Sequence, residues 1–321
     1  MTSLLEIKEL QVSFKKGKDY VPVVDGVSFS LQPGQTLGLV GESGCGKSVT
    51  SLSIMGLLPK GLAKIQQGEI LFEDKDLVGF GHEDYRKIRG KEISMIFQEP
   101  MTSLNPVFTI GNQINEIIAA HLKLNKKQAT AHALEMLNKV GIPRAKEILG
   151  EFPHQLSGGM RQRVMIATAM ACDPKVLIAD EPTTALDVTI QAQILKLMKK
   201  LKDDFNTAII MITHDLGVVA EMCDYVVVMY AGKIVEEGSV REIFKNPRHP
   251  YTVGLINSIP SLTEERDRLY NIRGSVPLPE EMPEGCRFAS RCHRASDKCF
   301  FCPPAKTSLE SGGAVSCWLY S

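Results

Sequence analysis

The chain has 321 residues, with 37 Lys and Arg balanced by 37 Asp and Glu, so it suits one large domain with an appendage and shows no bias toward nucleic acid or a strongly acidic substrate. No apolar run reaches the ~18 residues a bilayer span needs, and Glu6, Lys8 and Glu9 stand where a signal peptide would be apolar. The expectation is a cytosolic protein that needs a partner to span any membrane it works at.

Leu5 to Phe14 and Gly26 to Leu31 alternate apolar residues and read as strands. Thr36 to Val40 is a short buried strand that leads into Gly41-Glu42-Ser43-Gly44-Cys45-Gly46-Lys47-Ser48. That is the G-x-x-x-x-G-K-S pattern of a phosphate loop, followed by a helix over Ser48 to Leu58 that Pro59 stops. Ile93 to Phe97, Val176 to Ala179 and Ala208 to Ile212 are short, β-branched and apolar, as in strands buried on both faces. Ile190 to Leu201 has helical spacing, so the alternation argues for an α/β core. Residues 99 to about 165 carry helical patterns and few strand signals, and read as a helical insertion. Tyr225 to Met229 and Lys233 to Glu236 read as a hairpin around Ala231-Gly232. Beyond about residue 240 prolines multiply, and the expected division is a main domain over 1–240 and a loop-rich module over 241–321.

In the phosphate loop, glycines let backbone N–H groups turn toward the β- and γ-phosphates. Ser43, Gly44, Cys45, Gly46 and Val49 would supply those groups, Lys47 a positive charge and Ser48 a hydroxyl for Mg2+. Cys45 lies beside Lys47 at a helix start, which favours a thiolate. Asp180 and Glu181 end an apolar strand; Asp180 is assigned to Mg2+ and Glu181 to orienting the attacking water. Alone, such a pair would read better as a surface feature. Gln98 ends another strand, within reach of Mg2+ or the water, and His214 follows a third, suited to donating to a γ-phosphate. Leu156-Ser157-Gly158-Gly159 opens an apolar helix, a second anion site made of free N–H groups and a helix dipole. One nucleotide has one triphosphate, so two such sites raise the idea that it is shared between two chains.

These motifs stand in the order of an ABC-transporter ATPase subunit: 41–48, Gln98, Leu156 to Gly159, Asp180-Glu181, Ala185-Leu186-Asp187 and Thr213-His214-Asp215. The resemblance covers roughly residues 1 to 240. It implies an ABC-type P-loop fold with a helical subdomain, and a head-to-tail dimer with two ATPs at the interface. Each ATP would lie between one chain's phosphate loop and the other's Ser157, Gly158 and Gly159, and the helical insertion would dock on membrane subunits near Glu99 to Pro106. Met160 departs from the family's usual Gln and hydrogen-bonds a ribose poorly. Phe14 is the choice for stacking on adenine, with Tyr20 as rival.

His249 to Thr252, Ile272 to Pro277 and Gly285 to Phe288 resemble the tail of oligopeptide and dipeptide importer ATPases, and nickel importers of the same group are similar. The resemblance implies a peripheral subunit on the cytoplasmic side of the cell membrane. It would act with a second, paralogous ATPase, two permeases and, indirectly, an extracytoplasmic peptide-binding protein. The alternatives are a nickel-importer ATPase, or a non-transport ABC ATPase with a redox- or iron-sensing module.

Five of the eight cysteines fall between Cys286 and Cys317. Their spacing is too loose for a zinc ribbon and lacks the compact ferredoxin run, so it names no metal. Some members of the resembled group hold a four-iron, four-sulfur (4Fe-4S) cluster on this pattern. By resemblance that implies Cys286, Cys292, Cys299 and Cys317 as ligands, with Cys302 able to replace Cys299; Zn2+ or plain reduced thiols are the alternatives. Arg287, Arg291, Arg294, Lys298 and Lys306 outnumber Asp297 and Glu310 there, which would offset thiolate charge.

Overall fold

The computed structural model describes residues 3–98, 103–184, 186–259, 271–277 and 281–321. Its contacts divide the chain into two units: residues 1–31, 36–78 and 213–321 form the first, and 32–35 with 79–212 the second.

In the first unit, β1 (Leu5–Lys16) pairs antiparallel with β2 (Asp19–Leu31) and with β4 (Ala63–Phe72), which pairs in turn with β5 (Lys75–Asp76). β1 and β2 run longer than their apolar alternation suggests, because each is held by a neighbour along its whole length. β4 carries little apolar signal and is recruited by pairing with β1. β3 (Thr36–Val40) is buried at every residue and lies parallel to β9 (Tyr225–Tyr230). β9 turns through Ala231 and Gly232 into β10 (Lys233–Ser239), the expected hairpin. The hydrogen-bonded order then runs β9, β10, β12 (Ala314–Ser316) and β11 (Lys306–Ser308).

This last pairing differs from a module cut at about residue 240. Glu236 and Glu237 of β10 pair with Val315 and Ala314, so the end of the chain extends the sheet begun by β9 and β10. Sequence separation hides that, because proline and cysteine content says nothing about which edge a late strand joins.

In the second unit, β6 (Ile93–Ile96), β7 (Val176–Asp180) and β8 (Ala208–Thr213) are parallel and wholly buried. α1 (Lys47–Ile54) follows β3 in the first unit. In the second unit, α2 (His82–Ile88), α3 (Ile110–His121), α4 (Lys126–Lys139), α5 (Ala145–Ile148) and α6 (Gly158–Met170) are joined, among the described residues of 103–170, by no strand. α7 (Val188–Phe205) starts on Asp187, whose carboxylate accepts from Ile190 N–H at 2.9 Å. Glu99 to Thr102, part of the expected docking segment, and Ala185 lie outside the described residues.

Two short helices follow in the first unit: α8 (Leu216–Met222), capped by Asp215, and α9 (Val240–Lys245), capped by Ser239. α10 (Pro250–Asn257) follows and starts on His249, whose Nδ1 accepts from Tyr251 N–H at 3.1 Å. Burial pushes the His249 imidazole from 6.5 down to about 3. Between those values the unfolded chain binds the proton and the folded chain does not, so stability falls as pH drops below about 6.5. His249→Asn keeps a cap acceptor without the titration. Comparing denaturation midpoints at about pH 7.5 and about pH 5.5, wild type should lose about 1 kcal/mol more than the variant. Equal losses would contradict the buried neutral imidazole.

Candidate nucleotide site

The phosphate loop lies in the first unit and is built around two glycines that no other residue could replace. Gly41 has φ 153° and a Cβ there would meet Met229 O at 2.2 Å; Gly46 has φ 101° and precedes the first helical residue. Gly46 brings no capping side chain to α1, and the first intrahelical bond at this end is Thr50 N–H to Gly46 O at 2.9 Å. The N–H groups of Lys47, Ser48 and Val49 therefore precede the helical ladder, where an anion is stabilised. Ser43 and Gly44 are exposed at the rim, whereas Cys45, Gly46 and Lys47 are buried. Lys47 Nζ donates to Gly41 O at 2.8 Å and Glu42 O at 3.0 Å, so the cation is held over the loop by the loop's own carbonyls.

The thiolate expected at Cys45 is corrected by the fold. The thiol is almost completely buried, and desolvation pushes it up from its ordinary value despite the pull of Lys47. Helix start and lysine act on it, but removal from water wins. Its backbone N–H donates to Glu42 O at 3.3 Å, part of the turn of the loop.

His214 is exposed in the turn before α8. That turn is shaped by Thr213 Oγ1, which accepts from Asp215 N–H at 3.0 Å, and by Asp215 Oδ1, which accepts from Gly217 N–H at 2.8 Å. Phe14 is half-buried on β1, opposite Val21. Tyr20, its rival, has Lys64 Nζ 4.0 Å from its ring centroid, so one face of that ring already carries a cation.

In the second unit, Asp180 ends β7 and is buried, and Glu181 follows with φ 48°. A left-handed backbone in a non-glycine residue is uncommon and is fixed here by Glu181 N–H donating to Ile212 O at 2.8 Å. Gln98, 83 residues earlier, is brought to the same place: its Nε2 donates to Glu181 Oε2 at 2.9 Å. Thr184 Oγ1 donates to the same oxygen at 2.9 Å. Two donors on one carboxylate oxygen hold the side chain in one orientation.

Ser157 caps α6, its Oγ accepting from Met160 N–H at 3.3 Å. Ser157 and Gly158 are exposed, and a Cβ on Gly158 would meet nothing within 4 Å. The start of this 13-residue helix is therefore open, with its amides accessible to an anion. Gly159 is tighter, its Cβ position 3.0 Å from Ile190. Behind it lies a residue the motifs did not single out. Gln162 is 1% exposed, and its Nε2 donates to Pro182 O at 2.5 Å. The helix that carries Ser157 is thus pinned to the turn that carries Glu181. A polar residue at a buried helical position was the available signal, but its partner 20 residues away was not.

The predicted metal ligands near the end of the chain fall together in a different way. Cys286, Cys292, Cys299 and Cys317 line one cavity of about 100 Å³, walled by His249 and Phe288. Pairing of 285–286 with 299–300, through Gly285 N–H to Phe300 O at 3.1 Å and Cys286 N–H to Cys299 O at 2.7 Å, brings two of the four together. Cys302 is exposed and lies outside that wall, so Cys299 is the better placed of the two. Burial pushes the Cys286 thiol up to about 11 and raises Cys292 and Cys317. Among the described residues no three His, Cys, Asp or Glu side chains come together to hold a metal ion.

Known proteins resemble this chain along its whole length. The model of the ABC transporter family covers residues 24–184, and that of the oligopeptide/dipeptide transporter C-terminal region covers 235–299. The oligopeptide transport ATP-binding protein AppD of Bacillus subtilis is 57% identical over 320 residues, covering 100% of this chain and 98% of that protein. The dipeptide transport ATP-binding protein DppD of the same organism is 51% identical over 319 residues, covering 99% of this chain and 95% of that one. Among solved structures, the ATP-binding cassette MJ0796, in a dimeric post-hydrolysis state bound to ADP and Pi, matches with a TM-score of 0.66 at 27% identity over 74% of this chain and 99% of that one.

If Gln162 positions the Glu181 turn, Gln162→Met should cost about 1–3 kcal/mol by leaving Pro182 O without its donor. It should also lower the maximal hydrolysis rate more than it weakens ATP binding. Single-turnover and equilibrium binding measurements separate the two; unchanged turnover in a folded variant would contradict the role. With a phosphate loop, a carboxylate turn and an open signature helix matched across its length to these relatives, the chain belongs to the ABC transporter family of ATP-binding proteins, an ATPase of the branch that carries the oligopeptide/dipeptide transporter C-terminal region.

Proposed function

We propose that this chain is the ATP-hydrolysing subunit that powers import of dipeptides or oligopeptides through a membrane transporter. The observation that carries the reading is that similarity to peptide transport ATP-binding proteins runs the whole chain, with the C-terminal region of that group matched at 235–299. Among the described residues no helix is long and apolar enough to cross a membrane, so permease subunits would form the path. The partners are a second, paralogous ATPase, two permeases and, through them, an extracytoplasmic peptide-binding protein.

The site residues divide the chemistry. Ser43, Gly44, Gly46 and Val49 offer backbone N–H groups to the triphosphate, Cys45 shapes the turn through its own N–H bond to Glu42 O, and Lys47 offers charge to the β- and γ-oxygens. Ser48, Gln98 and Asp180 are the groups for Mg2+, which when bound neutralises developing charge on the phosphates. Glu181, held by Gln98 and Thr184, takes up the proton side of water attack, and His214 donates to the γ-phosphate. Phe14 stacks on the adenine. Ser157, Gly158 and Gly159 complete a site whose ATP sits on the partner subunit's loop. Closing the two subunits around ATP and opening them after hydrolysis supplies the mechanical step.

Reconstituted with its permeases, the complex should take up labelled peptides only with ATP. Gly158→Asp fits without a clash but places a carboxylate where an anion belongs, so it should abolish uptake and hydrolysis at the site it completes. MgATP binding to the chain's own loop should stay within about 2-fold, because that loop is not altered. Uptake of nickel without peptides would overturn the substrate, and surviving hydrolysis would overturn the shared site.

The cysteine cavity is proposed to hold a 4Fe-4S cluster. The support is four thiols lining one cavity and a surplus of cations in the surrounding sequence. Such a cluster would cross-link the segments that carry Cys286, Cys292, Cys299 and Cys317 and supply a one-electron couple. Without a metal the raised thiols stay protonated at neutral pH. Anaerobically purified protein should be brown and contain about four iron and four sulfide per chain. Colourless protein with stoichiometric zinc would overturn it.

A further inference from the structure

The motifs assign no role to Glu42, the second residue of the phosphate loop, yet two groups from the C-terminal region hold it. Its backbone N–H donates to Tyr251 Oη at 2.8 Å instead of facing the loop's interior. Its carboxylate pairs with Arg291 at 2.9 Å. The Arg291 side chain is 6% exposed and donates also to the carbonyls of Arg273 at 2.9 Å and Gly274 at 3.2 Å. A buried guanidinium with that many fixed partners is an anchor with little freedom.

Both anchors are rooted in one aromatic cluster. Tyr251 is wholly buried, with its ring centroid 4.7 Å from Tyr230 and 5.4 Å from Phe288. Phe288 packs on His249 at 5.7 Å, and these two also wall the cysteine cavity. Arg291 is the residue before Cys292. On the other side, Glu42 O is one of the two carbonyls that hold the Lys47 ammonium. The chain of contacts therefore runs from the cavity wall, through Tyr251 and Arg291, to Glu42 and Lys47.

We propose that the C-terminal region clamps the phosphate loop, with Arg291 and Tyr251 as positioning residues that set ATP affinity. Arg291 neutralises the Glu42 carboxylate, which would otherwise repel a triphosphate a few residues away, and it fixes the loop's entrance. Tyr251 takes up the Glu42 amide and so fixes the loop's second residue. The clamp rests on residues 41–48 being the triphosphate cradle. It makes the tail, which lies over 200 residues away in sequence, part of nucleotide binding.

The test is MgATP binding to the full purified chain by titration calorimetry, with melting followed in parallel. Lys47→Ala should abolish binding; if it binds as wild type does, the cradle reading fails and the clamp with it. Arg291→Gln should weaken binding about 5- to 10-fold by freeing one carboxylate beside the phosphates. Adding Glu42→Gln to that variant should recover at least half of the loss, a recovery that a purely structural role for Arg291 would not give. Tyr251→Phe, which keeps the ring contacts, should weaken binding about 3-fold or more through the lost acceptor. The clamp is overturned if Arg291→Gln lowers the melting temperature but leaves affinity unchanged. It is also overturned if Glu42→Gln has the same effect with and without Arg291.

Discussion

The nucleotide chemistry of this chain depends on one constraint, the need to surround phosphate oxygens with N–H groups that belong to no other hydrogen bond. Helix starts meet it because their first turn lies before the intrahelical ladder. The chain presents two such starts, at α1 behind Gly46 and at α6 behind Ser157, and arranges them differently. At α1 a glycine brings no side-chain cap and a buried lysine adds charge. At α6 a serine occupies one amide, Arg161 of the first turn donates back to Pro153 O, and the first glycine is open to solvent. The first suits holding an anion alone, and the second suits completing a site that another subunit has begun.

The carboxylate turn answers a second constraint. A glutamate that orients water has to be fixed before substrate arrives, and Glu181 is fixed three ways: a left-handed backbone, a hydrogen bond from Gln98 and one from Thr184. Gln162 ties the neighbouring Pro182 to α6, the helix that Ser157 caps. Within one chain, then, the helix that Ser157 opens and the turn that carries Glu181 share a buried hydrogen bond. Any shift of α6 on closing would be felt at the turn.

What was legible in the sequence was local. The phosphate loop and the strand before it are set by residues within a dozen positions, whereas the acidic pair took its meaning from the presence of that loop. β4 was not legible because Ala63 to Phe72 has its sense only as the partner of β1. The Cys45 thiolate failed for the same reason: lysine and helix start are local, whereas the burial that overrides them is tertiary. The four cysteines were legible as a set but not as a shape; hydrogen bonds between 285–286 and 299–300 bring Cys286 and Cys299 together on the cavity that Cys292 and Cys317 also line. Arg291 was read as compensating charge, and its bond to Glu42 spans 249 residues that no pattern connects.

The central claim is that each ATP is shared between two subunits. It is tested most directly by the structure of the assembled transporter trapped with MgATP through Glu181→Gln. The account predicts that Ser157 Oγ and the Gly158 and Gly159 amides of this chain meet the γ-phosphate of an ATP seated on the partner subunit's phosphate loop. An ATP contacted by residues 41–48 and 157–159 of one and the same chain would contradict it.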